Sequence, residues 1–139
     1  QVAKESKDGD IIIGADTIVA CNGKILGKPK SEEEGREMIK FLSGKEHQVV
    51  TGISIIKANS NIKIVDHEKT MVKFRELSNK KIENYIKTGE YIDKAGGYGI
   101  QGIGGILVEK ICGCYFNVVG LPIYKLDTLL EKYFDLNLL

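Results

Sequence analysis

Residues 11–20 read Ile-Ile-Ile-Gly-Ala-Asp-Thr-Ile-Val-Ala, an almost unbroken apolar run rich in β-branched side chains. That pattern predicts a strand buried on both faces. Asn22-Gly23 is a two-residue hairpin signal, with Lys24, Ile25 and Leu26 as the returning strand and Pro29 closing it. Ser31 and Glu34 have capping-box spacing, and Met38, Ile39 and Leu42 recur at helical intervals until Ser43-Gly44. A long strand is predicted over 48–58 and its antiparallel partner over 62–74, turning at 59–61. In the partner, Thr70, Val72 and Phe74 share one face, and Met71, Lys73 and Arg75 the other.

Ser78 caps a second predicted helix whose stripe is Ile82, Tyr85 and Ile86; Thr88-Gly89-Glu90 ends it. A glycine-dense segment, 93–105, precedes two short predicted strands at 106–111 and 116–119. Pro122 opens a last helix with Ile123, Leu126, Leu129, Leu130 and Tyr133 inward. Long antiparallel strands mixed with about three helices predict an α/β fold built on a mixed sheet, not a regular βαβ winding. No linker, low-complexity tract or repeat divides the chain, so 1–139 reads as a single domain. The strand at residue 11 reads as central, yet only a charged decapeptide precedes it. A buried central strand needs neighbours on both sides, so a further N-terminal strand and helix are expected ahead of this chain.

Charge and cysteine content narrow the function classes. Twenty Lys and Arg against 19 Asp and Glu give a net charge of +1. This balance argues against a protein that coats a nucleic acid polymer or an acidic membrane. No apolar run reaches the ~18–20 residues that cross a bilayer. Cys21, Cys112 and Cys114 form an odd set and read as small strand residues in a reducing compartment, not as a disulfide framework. His47 and His67 lie twenty residues apart on predicted strands, with no nearby cysteine or acidic repeat.

Three features carry candidate chemistry. Asp16 is the one carboxylate of the first strand, and a buried carboxylate must be paired, hydrogen-bonded, metal-bound or protonated. It reads either as a metal ligand or general base, or as a strand-end residue accepting backbone hydrogen bonds. Lys28, in the Gly27-Lys28-Pro29 turn, is brought back by the hairpin towards the level of Asp16, where a cation suits a polyphosphate. The third feature is the segment 93–105, with six glycines between 96 and 105. It is no Walker loop, lacking Gly-Lys-Ser/Thr, and no dinucleotide fingerprint, lacking the third glycine and the following helix. Its glycines let backbone N–H groups approach an anion, or else serve a tortuous turn. Lys94 and Gln101 within it suit a phosphate and a base edge.

In order along the chain, these segments resemble the Maf family of nucleoside triphosphate pyrophosphatases. The resemblance is carried by Gly14-Ala15-Asp16-Thr17-Ile18-Val19, Ile25-Leu26-Gly27-Lys28-Pro29, Leu42-Ser43-Gly44, His47-Gln48-Val49 and Thr51-Gly52. It continues through Thr70-x-Val72-x-Phe74, Tyr85-Ile86-x-Thr88-Gly89-Glu90, the 93–105 segment and Asn117-Val118-Val119-Gly120-Leu121-Pro122. It implies a nucleotide-pocket α/β fold, a homodimer, a cytoplasmic location and hydrolysis of a nucleoside triphosphate to monophosphate and pyrophosphate with Mg²⁺ or Mn²⁺.

By the same resemblance Asp16 is the proton acceptor, Lys28 lies on the phosphate side, and Thr17 and Gln101 bear on substrate choice. The 93–102 sequence resembles the branch acting on dTTP and UTP rather than on 7-methyl-GTP. Gln101 is then expected to read the N3–H and a carbonyl of the base. The family's opening Ser-x-Ser-Pro-Arg-Arg-type segment is not in this sequence, so the chain is expected to be the family's domain without its N-terminal segment. The competing reading is a non-catalytic nucleotide-binding module linked to cell division.

Overall fold

A computed structural model describes residues 9–139. Five strands form one antiparallel sheet: β1 (Ile11–Cys21), β2 (Lys24–Leu26), β3 (Glu46–Lys57), β4 (Lys63–Phe74) and β5 (Val108–Cys112), in the order β2-β1-β3-β4-β5. Among the described residues, four α-helices accompany it: α1 (Glu32–Leu42), α2 (Asn79–Lys87), α3 (Tyr115–Val119) and α4 (Ile123–Phe134). Two short 3-10 turns, Ala95–Gly97 and Ile103–Leu107, lie in the glycine-dense segment.

Local chemistry accounts for the joints. Asn22 and Gly23 both take positive φ, 51° and 77°, as a tight hairpin turn between paired Cys21 and Lys24 requires. Ser31 caps α1 by accepting from the Glu34 N–H, and Ser78 caps α2 by accepting from Lys81. Arg36 on α1 reaches Glu83 on α2, which holds the Glu83 carboxyl below the usual carboxylate range.

The helices cover one face of the sheet. Val19, Cys21, Val49, Val72 and Phe74 pack under α1 and α2; Ile53 and Ile55 pack under Leu126, Leu129 and Leu130 of α4. Residues 47, 49, 51, 53 and 55 of β3 are all buried and therefore share that face, since side chains alternate along a strand. Thr70, Val72 and Phe74 lie on it too, as their spacing predicts.

Several of these expectations need correction. The first strand is not buried on both faces: residues 13–16 are exposed, Gly14 and Asp16 on the face that no described helix covers, and Ile13 and Ala15 on the covered face, opposite Ile55 and Ile53. β2 pairs only with Val19–Cys21, so among the described residues Ile11–Ile18 have a partner strand on one side alone. The predicted strand at 106–111 begins later, at Val108, because Ile106 and Leu107 belong to a 3-10 turn. Residues 116–119 are helical, not extended, and Gly120 at φ 127° ends that helix. On α4, Ile123 and Tyr133 are exposed; Leu126, Leu129 and Leu130 form the buried stripe. Cys21 and Cys112 are strand residues, as expected, the first buried and the second exposed at the end of β5, whereas Cys114 precedes α3.

Candidate active site

The covered face of β1 opens into a cavity of about 350 Å³, which β1, the Gly27–Pro29 turn, the glycine-dense segment and α3 enclose. Cavities of this size accommodate small ligands. Asp16, Thr17, Lys28, Lys94 and Gln101 all line it. The hairpin supplies the first three: β1 carries Asp16 and Thr17, and the Asn22-Gly23 turn folds the chain back so that Lys28 follows β2.

Thr17 and Val19 face the cavity from the helix-covered side of the sheet. Asp16, the residue between, sits on the rim: it also borders a shallower depression on the open face with Gly52, Ser54 and Val65. Asp16 is exposed, not the buried carboxylate that its apolar strand predicts. Asp93, at φ 61°, lines the same cavity and adds a second carboxylate. Its neighbours in sequence, Lys94 and the glycines, drew attention; the aspartate itself offered no spacing signal.

Tyr98, which lines the cavity, belongs to a buried aromatic group. His47 Nε2 and the Tyr98 hydroxyl are 2.6 Å apart, and the rings of His47, Phe74 and Tyr98 meet edge to face at 4.7–5.5 Å. Burial lowers the His47 pKa to about 4 and raises that of the Tyr98 phenol. Tyr85 donates to the Gly97 carbonyl at 2.8 Å, tying α2 to the glycine-dense segment.

That segment is not an open cradle of N–H groups. The N–H of Gly96 donates to Gly27, Gly97 to Lys94, Gly102 to Gly99 and Gly105 to Gly102, while Gly104 donates to Glu90. The glycines serve close packing instead. A Cβ on Gly96 would stand 3.0 Å from the Val19 side chain, and one on Gly99 2.8 Å from that of Lys94. The side-chain cations that line this cavity are Lys28 and Lys94.

A polar cluster backs Thr17. Its hydroxyl lies 2.9 Å from that of Thr51, which donates to the Asn117 carbonyl at 3.2 Å. Asn117, fully buried, sends its amide to the carbonyls of Val49 and Glu68 and to the Thr70 hydroxyl. The sequence marks Asn117 only as part of a motif.

The Maf-like protein family model matches residues 1–133. The chain belongs to this family. Three relatives, each named dTTP/UTP pyrophosphatase, come from Clostridioides difficile, Alkaliphilus oremlandii and Clostridium tetani. The first is 56% identical over 137 residues, covering 99% of this chain and 70% of the relative. The second is 56% identical over 133 residues, 95% of this chain and 69% of the relative. The third is 55% identical over 130 residues, 94% of this chain and 68% of the relative. The α/β fold expected of a Maf-like chain is the one observed, its described residues forming a five-stranded antiparallel sheet with four α-helices.

No helix of the described residues is long and apolar enough to cross a membrane. Nor, among them, do three His, Cys, Asp or Glu side chains converge as a metal cage. Asp16 and Asp93 on one cavity nevertheless suit Mg²⁺ or Mn²⁺ bound with a substrate, since Mg²⁺ commonly takes one or two carboxylates plus phosphate oxygens and water.

Proposed function

We propose that the chain carries the pocket of a pyrophosphatase that converts dTTP or UTP to the monophosphate and pyrophosphate. The observation that carries this reading is one cavity lined by a carboxylate, two lysines and a base-reading amide: Asp16, Lys28, Lys94 and Gln101. The names and high identity of the relatives support the same substrates.

A triphosphate bears several negative charges, and attack at its α-phosphorus adds charge to the equatorial oxygens. Lys28 and Lys94 offset that charge from the cavity walls. Asp16 accepts a proton from the attacking water; its rim position leaves it open to solvent, from which that water comes. Asp16 and Asp93 would hold the divalent ion, which offsets phosphate charge and orients the leaving group when bound. Gln101 offers one donor and one acceptor to the base edge.

The same reading places the protein in the cytoplasm, where thiols such as the exposed Cys112 stay reduced. A homodimer is also part of it: Phe116, Val119, Leu121, Ile123 and Tyr124 leave an exposed apolar stretch along α3 and α4.

The test offers dTTP, UTP and 7-methyl-GTP to the protein with Mg²⁺ or Mn²⁺ and measures pyrophosphate. Release from dTTP and UTP, stopped by EDTA, is the expected result. Tight nucleotide binding without release is the outcome that replaces the hydrolase with a nucleotide-sensing module.

A further inference from the structure

Thr17 is half-buried and lines the cavity, whereas Thr51 behind it is fully buried and lines no part of it. A hydroxyl owns a single proton. The Thr51 proton is directed at the Asn117 carbonyl, 3.2 Å away. At 2.9 Å either hydroxyl can donate to the other; with the Thr51 proton on the Asn117 carbonyl, the donor between them is Thr17. In this direction both hydroxyl protons have acceptors within the protein. The reverse direction would take the Thr51 proton from Asn117 and turn the Thr17 proton towards the cavity.

The far end of the relay is held firmly. Asn117 bonds the carbonyls of Val49 on β3 and Glu68 on β4, and the Thr70 hydroxyl. Thr70 in turn donates to the Cys114 carbonyl at 3.0 Å. These bonds pin the α3 backbone across two strands, so the acceptor for Thr51 does not drift.

We propose that Thr51, fixed by Asn117, makes Thr17 a hydrogen-bond acceptor towards the cavity and thereby selects pyrimidines that present a ring N–H over those that present a bare ring nitrogen. This rests on the pyrophosphatase reading above and deepens it. Uracil and thymine carry N3–H between two carbonyls; cytosine has a lone pair at N3. Against an acceptor-only Thr17, UTP forms a hydrogen bond where CTP sets two lone pairs face to face. The amide N–H of Gln101 then serves the adjacent carbonyl, and Thr17 takes the N3–H in place of the Gln101 carbonyl. A site built around one hydrogen-bond polarity discriminates strongly, because the wrong partner leaves buried polar groups unmatched. Thr51 is a positioning residue: it never meets the nucleotide.

The experiment compares kcat/KM for UTP and CTP, with Kd for each by calorimetric titration in Mg²⁺, in the wild type, Thr51→Val and Thr51→Ser. Thr51→Val keeps the branched shape, removes the acceptor and frees the Thr17 proton to face cytosine N3. Its UTP-over-CTP preference is expected to fall at least ~10-fold, with CTP gaining in absolute terms, whereas a purely structural defect lowers both nucleotides together. Thr51→Ser restores the relay and is expected to keep the preference within ~3-fold. Should Thr51→Val fail to fold, Thr51→Cys, a weak acceptor of similar size, reads the same quantity. A selective wild type with an unchanged ratio in Thr51→Val, or in Thr51→Cys where that variant replaces it, overturns the relay alone. Loss of preference in Thr51→Ser overturns it as well. A wild type that neither binds nor cleaves UTP removes the pyrophosphatase reading and the relay with it.

Discussion

A Cβ placed on Gly102 would stand 2.5 Å from a carboxylate oxygen of Glu90. The closeness arises because that carboxylate accepts the N–H of Ile103 at 2.8 Å and of Gly104 at 2.7 Å. Glu90, just beyond α2, thus clamps the residues that follow Gln101. A glycine beside the carboxylate is the condition for the clamp to close.

Loosening the clamp is expected to displace Gln101 more than it unfolds the protein. Glu90→Gln retains one acceptor and is expected to raise KM for UTP several-fold. Glu90→Ala leaves both N–H groups without their carboxylate and is expected to cost about 1–2 kcal/mol of stability, because the site is only partly buried. Gly102→Ala is expected to resemble Glu90→Ala in both assays. Urea denaturation paired with pyrophosphate release separates the two effects, and unchanged kinetics in all three variants would dismiss the clamp.

Asp16 yields the opposite balance. It is exposed on the rim, so Asp16→Asn removes a charge without creating a void or stranding a buried partner. The expected outcome is a fall in kcat of ~100-fold or more with the urea midpoint unchanged. Near-normal turnover would take Asp16 out of the reaction.

Acid is expected to weaken the fold through His47. Burial lowers its pKa from 6.5 to about 4, so between these values the unfolded chain takes up a proton that the folded chain refuses. The neutral ring's contribution is therefore complete above pH 6.5 and declines as pH falls towards 4. The whole span corresponds to ~3 kcal/mol. Urea midpoints measured from pH 7 to pH 4.5 should drop, and His47→Gln should flatten the slope while being less stable at pH 7. A slope equal in both proteins would assign the acid sensitivity to other groups.

The sheet was legible because its signals are local: the Asn22-Gly23 turn, the alternation through β4 and the serine caps each act within a few residues. The cavity was legible in part. Asp16, Thr17, Lys28, Lys94 and Gln101 carry the recognisable residue types, but Asp93 joins them only through the path of the folded chain. Residues 116–119 misled for a physical reason. Phe116, Val118 and Val119 favour extended backbone in isolation, and the bonds of one side chain to distant strands outweigh that preference.

That side chain is Asn117, and its removal tests whether tertiary bonds make the helix. Five residues are too few to be helical on their own. Asn117 supplies the anchor through the carbonyls of Val49 and Glu68 and through Thr70. Asn117→Ala strands these buried acceptors and opens a small void, so a loss of about 3 kcal/mol is expected. Asn117→Asp retains the volume but replaces the donating amide with a carboxylate facing two carbonyls, and is expected to be at least as damaging. Amide exchange across residues 115–120 should accelerate in both variants before the core of β3 and β4 does. If those amides keep their protection in Asn117→Ala, the short helix owes its shape to Gly120 and Pro122 instead.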